Sequence, residues 1–214
     1  MWSIFYSLAH IFGYARIVPA VRRPQQPRAR QTVEAILDAV PRVLARDGAA
    51  AVTTNRIAEA AGVSIGSVYQ YFPDKGAIFA ALHDRHVEEM SRLVERTLVE
   101  HAAAPLEALI RALVEAVVAA HATDPALYEL LRVVPHVPGA PDFATRLRGA
   151  LRLALAARAR ELGRRRDLDA VLFVVTNQID ALGHAAVLRR PSRLSLAAAK
   201  DEAVRAVLAY LRAR

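Results

Sequence analysis

Residues 65–71 gather two phenols, an amide and a hydroxyl on a stretch without charge: Ile65, Gly66, Ser67, Tyr69, Gln70 and Tyr71. On a helix, Val68 and Phe72 stand at i and i+4 and share the opposite, inward face. An uncharged face of hydrogen-bonding groups suits the base edges of a DNA groove, where Asn and Gln can pair with adenine in bidentate fashion. Ser67, Tyr69, Gln70 and the backbone near Gly66 are the candidate readers, with Ser64 and Ile65 at the start of the same surface. Asn55 is a further candidate for a base edge. Thr54, Tyr71 and Lys75 are candidates for phosphate contacts, which set register without reading sequence. Arg56 can do either, or only cover the helix surface.

Two short helices and a tight turn would position these groups. Thr54 is a natural N-cap, its hydroxyl able to accept from a free amide of the first turn. Ile57, Ala58 and Ala61 recur on one face and are small enough for a close crossing. Gly62 can take the positive φ that turns the chain back, and Val63 can plug the corner. Ser64 is a second N-cap, and the Phe72-Pro73 step ends the second helix. Asp74 caps the next one, with Lys75 at its amino end, where the helix dipole also favours a phosphate. Ahead of the pair, Val33, Ile36, Leu37, Val40 and Leu44 predict a supporting helix over about 28–46, ended by Gly48 and kinked at Pro41. This is the arrangement of a helix-turn-helix that lays its second helix in the major groove. The plainer alternative is an ordinary helical hairpin.

The stretch from about Arg30 to Leu82 resembles the DNA-binding domain of the TetR family of transcriptional regulators. The residues that carry the likeness are Ile36, Leu37, Gly48, Thr53, Thr54, Ile57, Ala58, Ala61, Gly62, Val63, Ser64, Gly66, Tyr69, Phe72 and Lys75. They cover only about a quarter of the chain, and two positions depart from the family's pattern: Ala49, where an aromatic is usual, and Pro41. The resemblance implies a homodimer whose last two helices form a four-helix interface with their twins. It also implies a second, helical domain that binds a small molecule and releases the DNA.

Composition sets bounds around this. The 214 residues contain 54% hydrophobic side chains, mostly Ala, Leu and Val at helical spacing, with no clear period-2 runs. The expected fold is all-α: an N-terminal three-helix helix-turn-helix domain and a C-terminal helical ligand-binding and dimerisation domain. The predicted division is 1–27 for an extension and basic Pro-rich arm, 28–75 for the DNA-binding domain and 76–214 for the rest. The chain has no cysteine, which removes disulfides and thiolate chemistry and fits a reducing cytoplasm. The net charge of +8 favours a polyanionic partner. Yet residues 28–75 hold six Arg/Lys against five Asp/Glu, so the motif itself is nearly neutral. The surplus lies in Arg22, Arg23, Arg28 and Arg30, an arm suited to a minor groove or to solvent, and in the run from Arg146 to Arg166, read as a solvated helix face. That run could instead attract an acidic ligand or further DNA.

Residues 1–21 leave three readings open: an unstructured or mistranslated extension, a packed accessory helix, or an interfacial membrane anchor. Beyond the motif, Ile78, Leu82, Met90, Leu93, Val94 and Leu98 predict a lever helix to about Glu100. Helices follow from Pro105, from Pro125, from Asp142 to Gly163, from Asp167 to before Pro191, and from Ser195 to about Ala213. The helix after Asp167 is apolar on more than one face, as a core or shared helix is. Candidate ligand contacts in this region are Met90, His121, Tyr128, Phe143, Phe173, Asn177 and Asp180, each with a packing or dimer-seam role as its alternative. His83, His86 and Glu89 read as solvated rather than as a metal site, so no metal and no cofactor are expected. No phosphate-cradling glycine loop and no HExxH is present, and an enzyme is not expected. The expected function is a cytoplasmic, ligand-released repressor on a palindromic operator. Its rivals are a membrane-associated or scaffolding helical protein and a non-specific DNA-compacting protein.

Overall fold

The computed structural model describes residues 26–131, 143–158, 160–162 and 167–213, the side chains of Phe143 and Ala144 excepted. The expectations for residues 1–21, Arg22, Arg23, Asp142, the side chain of Phe143 and residues 163–166 therefore fall outside the described residues. Among the described residues the fold is all-α, with nine α-helices and no strand. They are α1 Pro27–Asp47, α2 Thr54–Ala61, α3 Ile65–Tyr71, α4 Lys75–Glu100 and α5 Leu106–Thr123, then α6 Pro125–Leu131, α7 Phe143–Ala156, α8 Leu168–Leu188 and α9 Leu196–Arg212. One single 3-10 turn, Ala49–Ala51, sits between α1 and α2.

Two compact units divide the chain. The first takes the described residues up to His86 together with Ala126–Leu131, and the second takes Val87–Pro125 and everything described from Phe143 onward. Helix α4 thus begins in one unit and ends in the other.

The first unit is built around α1. Pro27 occupies the first helical position, where its missing N–H costs nothing. Of the two places open to Arg28 and Arg30, the predicted helix from about residue 28 and the basic arm, they lie on the helix. The helix continues through Pro41 to Asp47, and Gly48 closes it at φ +79° with its N–H donating to Leu44. Ile36, Val40, Val43, Ile57, Val68, Phe72, Ile78 and Phe79 form the solvent-free core. Leu130 and Leu131 of α6 join it, with Leu127 packed alongside. Periodicity identifies α6 as an amphipathic helix but cannot say which core its apolar face enters.

The second unit is a trio of α5, α8 and α9 packed on one another, with α7 against α8. Leu109, Ile110, Leu113, Val117, Leu172, Val175 and Val207 are fully buried at its centre. Helix α8 is long and apolar enough to cross a membrane by composition alone, yet Val171, Leu172, Val175, Ile179 and Ala186 are spent on this core. Helix α7 ends at Ala156 and not at Gly163; residues 157–158 and 160–162 are turns.

At Gly183, α8 lies close against Val117 and Val118 of α5. A β-carbon there would stand 2.7 Å from Val117 Cγ1, a branched side chain with no exposed surface in which to retreat. Gly183→Ala is expected to destabilise the protein by about 1–3 kcal/mol through overpacking. Val117→Ala in the same chain should recover part of that loss, as read by urea unfolding.

Candidate nucleic-acid interface

Helices α2 and α3 are held by the chemistry that their sequence supplies, with one correction. The N-cap of α2 is Thr53, whose hydroxyl accepts from Arg56 N–H at 3.3 Å, and not Thr54. The two adjacent threonines carry the same capping group; the backbone decides between them, extended at Thr53 (φ −120°, ψ 157°) and helical at Thr54. Thr54 is thereby released, and its Oγ1 lies 3.5 Å from Tyr69 Oη across the two helices. Gly62 takes the left-handed turn at φ +68°, donating back to the end of α2. Val63 packs against the core beneath the corner. Ser64 caps α3 by accepting from Ser67 N–H at 3.0 Å.

Helix α3 separates its faces as the spacing requires. Val68 and Phe72 have no exposed surface, whereas Ile65 is 38% and Tyr69 53% exposed, with Gly66 and Gln70 also exposed. Two members of the expected outer face are less open. The Ser67 hydroxyl lies 2.8 Å from Ser64 Oγ, and Tyr71 packs partly against the core. On α2, Asn55 is exposed, while Arg56 Nη1 pairs with Glu59 Oε2 at 3.3 Å. That pair is solvent-exposed, so a phosphate can compete for Arg56 at small cost.

Lys75 opens α4, where Asp74 accepts from Ala77 N–H at 2.8 Å. Its ammonium stands 5.7 Å from the Phe79 ring centroid, and partial burial holds its pKa below the ordinary lysine value. Two arginines that the sequence did not single out brace this unit. Arg42 Nη2 donates to Ala60 O at 2.9 Å, so α1 takes up a carbonyl at the end of α2. Arg85 Nη1 bridges Glu34 at 3.0 Å and Asp38 at 2.7 Å, tying α4 to α1. The acids at 34 and 38 sit one helical turn apart, but nothing local points to a base 47 residues away.

The candidate ligand residues do not form one group. His121, buried in α5, meets His184 of α8 with ring centroids 4.8 Å apart and planes tilted by 54°, and Asp180 Oδ1 lies 3.6 Å from His184 Nε2. Met90 is buried in the second unit's core. Asn177 and Phe173 lie on the exposed side of α8, with Asn177 Nδ2 donating to Phe173 O at 2.7 Å and Arg148 over the Phe173 ring. Tyr128 belongs to the first unit, beside His86 at 5.4 Å between rings.

A capped helix pair, turned at a left-handed glycine and set on a three-helix core with its outer face free, defines a helix-turn-helix DNA-binding regulator. Known families agree. The family model described as bacterial regulatory proteins of the tetR family matches residues 36–82, and the tetracyclin repressor-like C-terminal domain matches residues 105–211. The chain belongs to the TetR family, whose members are DNA-binding regulators of transcription and not enzymes. Among solved structures, it is similar to a TetR-family transcriptional regulator from Streptomyces coelicolor, with 25% identity and a TM-score of 0.58 over 84% of this chain and 97% of that one. A protein from Rhodococcus sp. RHA1 shares the fold at 20% identity, with a TM-score of 0.63 over 84% of this chain and 95% of that one. The nucleoid occlusion factor SlmA of Actinobacillus pleuropneumoniae is 39% identical over 72 residues, 32% of this chain and 34% of that protein. The chain thus spans about a third of the length of the curated relatives it matches.

Proposed function

We propose that this chain is a cytoplasmic, homodimeric repressor that binds a palindromic operator and leaves it when a small molecule occupies the second unit. The observation that carries the DNA-reading half is the division of α3: Val68 and Phe72 without exposed surface, Tyr69 and Gln70 open on an uncharged face. Such a face reads through fit and hydrogen bonds, so attraction over distance falls to arginines elsewhere on the dimer. Gln70, Ser67, Tyr69 and Asn55 take the base edges; Thr54, Tyr71 and Lys75 take phosphates. The Thr54–Tyr69 hydroxyl contact makes those two residues one element of the interface. Support for the dimer comes from α8, which carries a 58% exposed Phe173 beside its buried residues. Two copies of α3 about one helical turn of DNA apart would address a palindrome. Of the ligand candidates, His121 and Asp180, gathered with His184, offer a donor and acceptor set to a polar effector.

Footprinting on genomic fragments tests the reading: a regulator protects a short palindrome, whereas a DNA-compacting protein protects no defined site. Lys75→Ala is expected to weaken binding to every sequence and reduce the salt slope by about 2, about 1 for each subunit, whereas Gln70→Ala should relax base preference at one position of each half-site. Unchanged selectivity in Gln70 and Asn55 variants would remove the direct-readout assignment.

The likeness to SlmA favours a second reading, in which the DNA-bound protein serves nucleoid occlusion rather than a promoter. Deleting the gene distinguishes them. Altered transcription beside the protected site supports the regulator, and misplaced cell division without it supports the alternative.

A further inference from the structure

Arg158 is the most deeply buried arginine among the described residues, at 7% exposure, and its guanidinium is bonded entirely to backbone carbonyls. Nε and Nη2 donate to Ala104 O at 3.2 and 3.0 Å; Nη2 also reaches His101 O at 2.9 Å and Ala102 O at 2.6 Å. Nη1 donates to Ala154 O, in the last turn of α7, at 2.9 Å. His101, Ala102 and Ala104 lie in the turn of residues 101–104 that follows Glu100, the last residue of α4, where His101 O also accepts from Ala104 N–H at 3.0 Å. A helix ends with carbonyls that have lost their amide partners and with the negative pole of its dipole. Arg158 supplies both donors and a positive charge to the chain leaving that end.

Three residues later the opposite pairing is made. Glu161 Oε2 accepts from Leu106 N–H at 3.0 Å, at the first residue of α5. The N-cap position there is Pro105, which offers no capping side chain, so the carboxylate comes from 55 residues away. It meets the positive pole and an orphan amide of α5. One short turn after α7 therefore carries a cation to the end of α4 and an anion to the start of α5. Both interactions are made from the turn that follows Ala156, the last residue of α7. This also corrects the view of Arg158 as part of a solvated arginine face.

We propose that Arg158 and Glu161 are positioning residues that clasp the α4–α5 corner, fixing within the second unit the far end of the helix that carries Lys75 at its other end. The consequence for DNA rests on the regulator reading; the clasp itself does not. A corner held by charge-assisted bonds gives α4 a defined end from which its direction is set, whereas a loose corner lets that direction vary.

The test uses the full-length protein and four variants: Arg158→Met, Arg158→Lys, Glu161→Ala and Glu161→Gln. Hydrogen exchange of amides 101–104 and 106 is expected to rise about tenfold or more in Arg158→Met and Glu161→Ala. Arg158→Lys and Glu161→Gln, which keep a donor or an acceptor, should recover part of the protection. Exchange in the centres of α8 and α9 should change far less. On operators with one base pair inserted between the half-sites, the wild type should discriminate and the two disabling variants should discriminate less. Unchanged exchange at 101–106, or an equal rise throughout the second unit, would overturn the clasp. Loosened exchange with unaltered spacing discrimination would overturn its positioning role. Failure of the wild type to protect any operator would instead count against the regulator reading, leaving the exchange result to decide the clasp.

Discussion

Phe72→Ala is expected to destabilise the DNA-binding unit by about 3–5 kcal/mol and to abolish operator binding. The residue has no exposed surface, lies where α3 ends, and donates its backbone N–H to Val68 O at 2.9 Å. Its ring is shared by everything that fixes α3: it packs into the cluster of Ile36, Val40, Ile57, Val68, Ile78 and Phe79. Truncation would remove both the transfer energy of the ring and the contacts lining the space it leaves. A unit of this size has only about 5–15 kcal/mol in total, so the loss is a large share. Urea unfolding, followed by circular dichroism and by operator binding, should show one earlier transition for this unit. Phe72→Leu should cost much less. Binding retained at wild-type affinity by Phe72→Ala would mean that α3 is positioned by something other than this core.

Phe72 also shows what kind of information was legible in the chain. The helix-turn-helix could be read because its determinants are local: a capping serine, a glycine at the turn, and apolar residues one turn apart. Each acts within four residues of itself. Even there, Thr53 and Thr54 could not be told apart by type, because the capping group is the same and only the backbone angle chooses. What the sequence concealed is long-range. Arg42 on Ala60 O, Arg85 on Glu34 and Asp38, and Arg158 on the end of α4 are arginines whose partners lie 18 to 57 residues away. In a chain with 29 basic residues, nothing in their immediate surroundings separates them from solvated ones. The second unit was harder still. Periodicity located its helices, but not the cores they enter, so Tyr128 was grouped with His121 although α6 packs with the first unit.

His86 is expected to make the first unit labile to acid. Read from the sequence as solvated, His86 is instead largely withdrawn from solvent, and that burial, with a smaller contribution from the neighbouring His83, pushes its pKa from 6.5 down to about 4. Well above pH 6.5 the imidazole is uncharged in both folded and unfolded chains, and there it contributes nothing to the pH dependence. Below about 6.5 the unfolded chain takes up a proton that the folded one refuses until about pH 4. The unfolded state binds more protons throughout that window, so stability must fall as pH falls. The slope approaches 1.4 kcal/mol per pH unit, for a total of about 3 kcal/mol by pH 4. This is opposite to a histidine stabilised by a carboxylate, which would protect the fold as acid is added. Its ring lies 5.4 Å from Tyr128, so protonation sets a charge beside the aromatic contact that helps hold α6 to this unit. Unfolding midpoints between pH 7 and pH 4 should therefore drop for the wild type. His86→Gln, which keeps a polar side chain without the titration, should flatten that part of the profile. An equally steep profile in His86→Gln would assign the acid sensitivity to other groups.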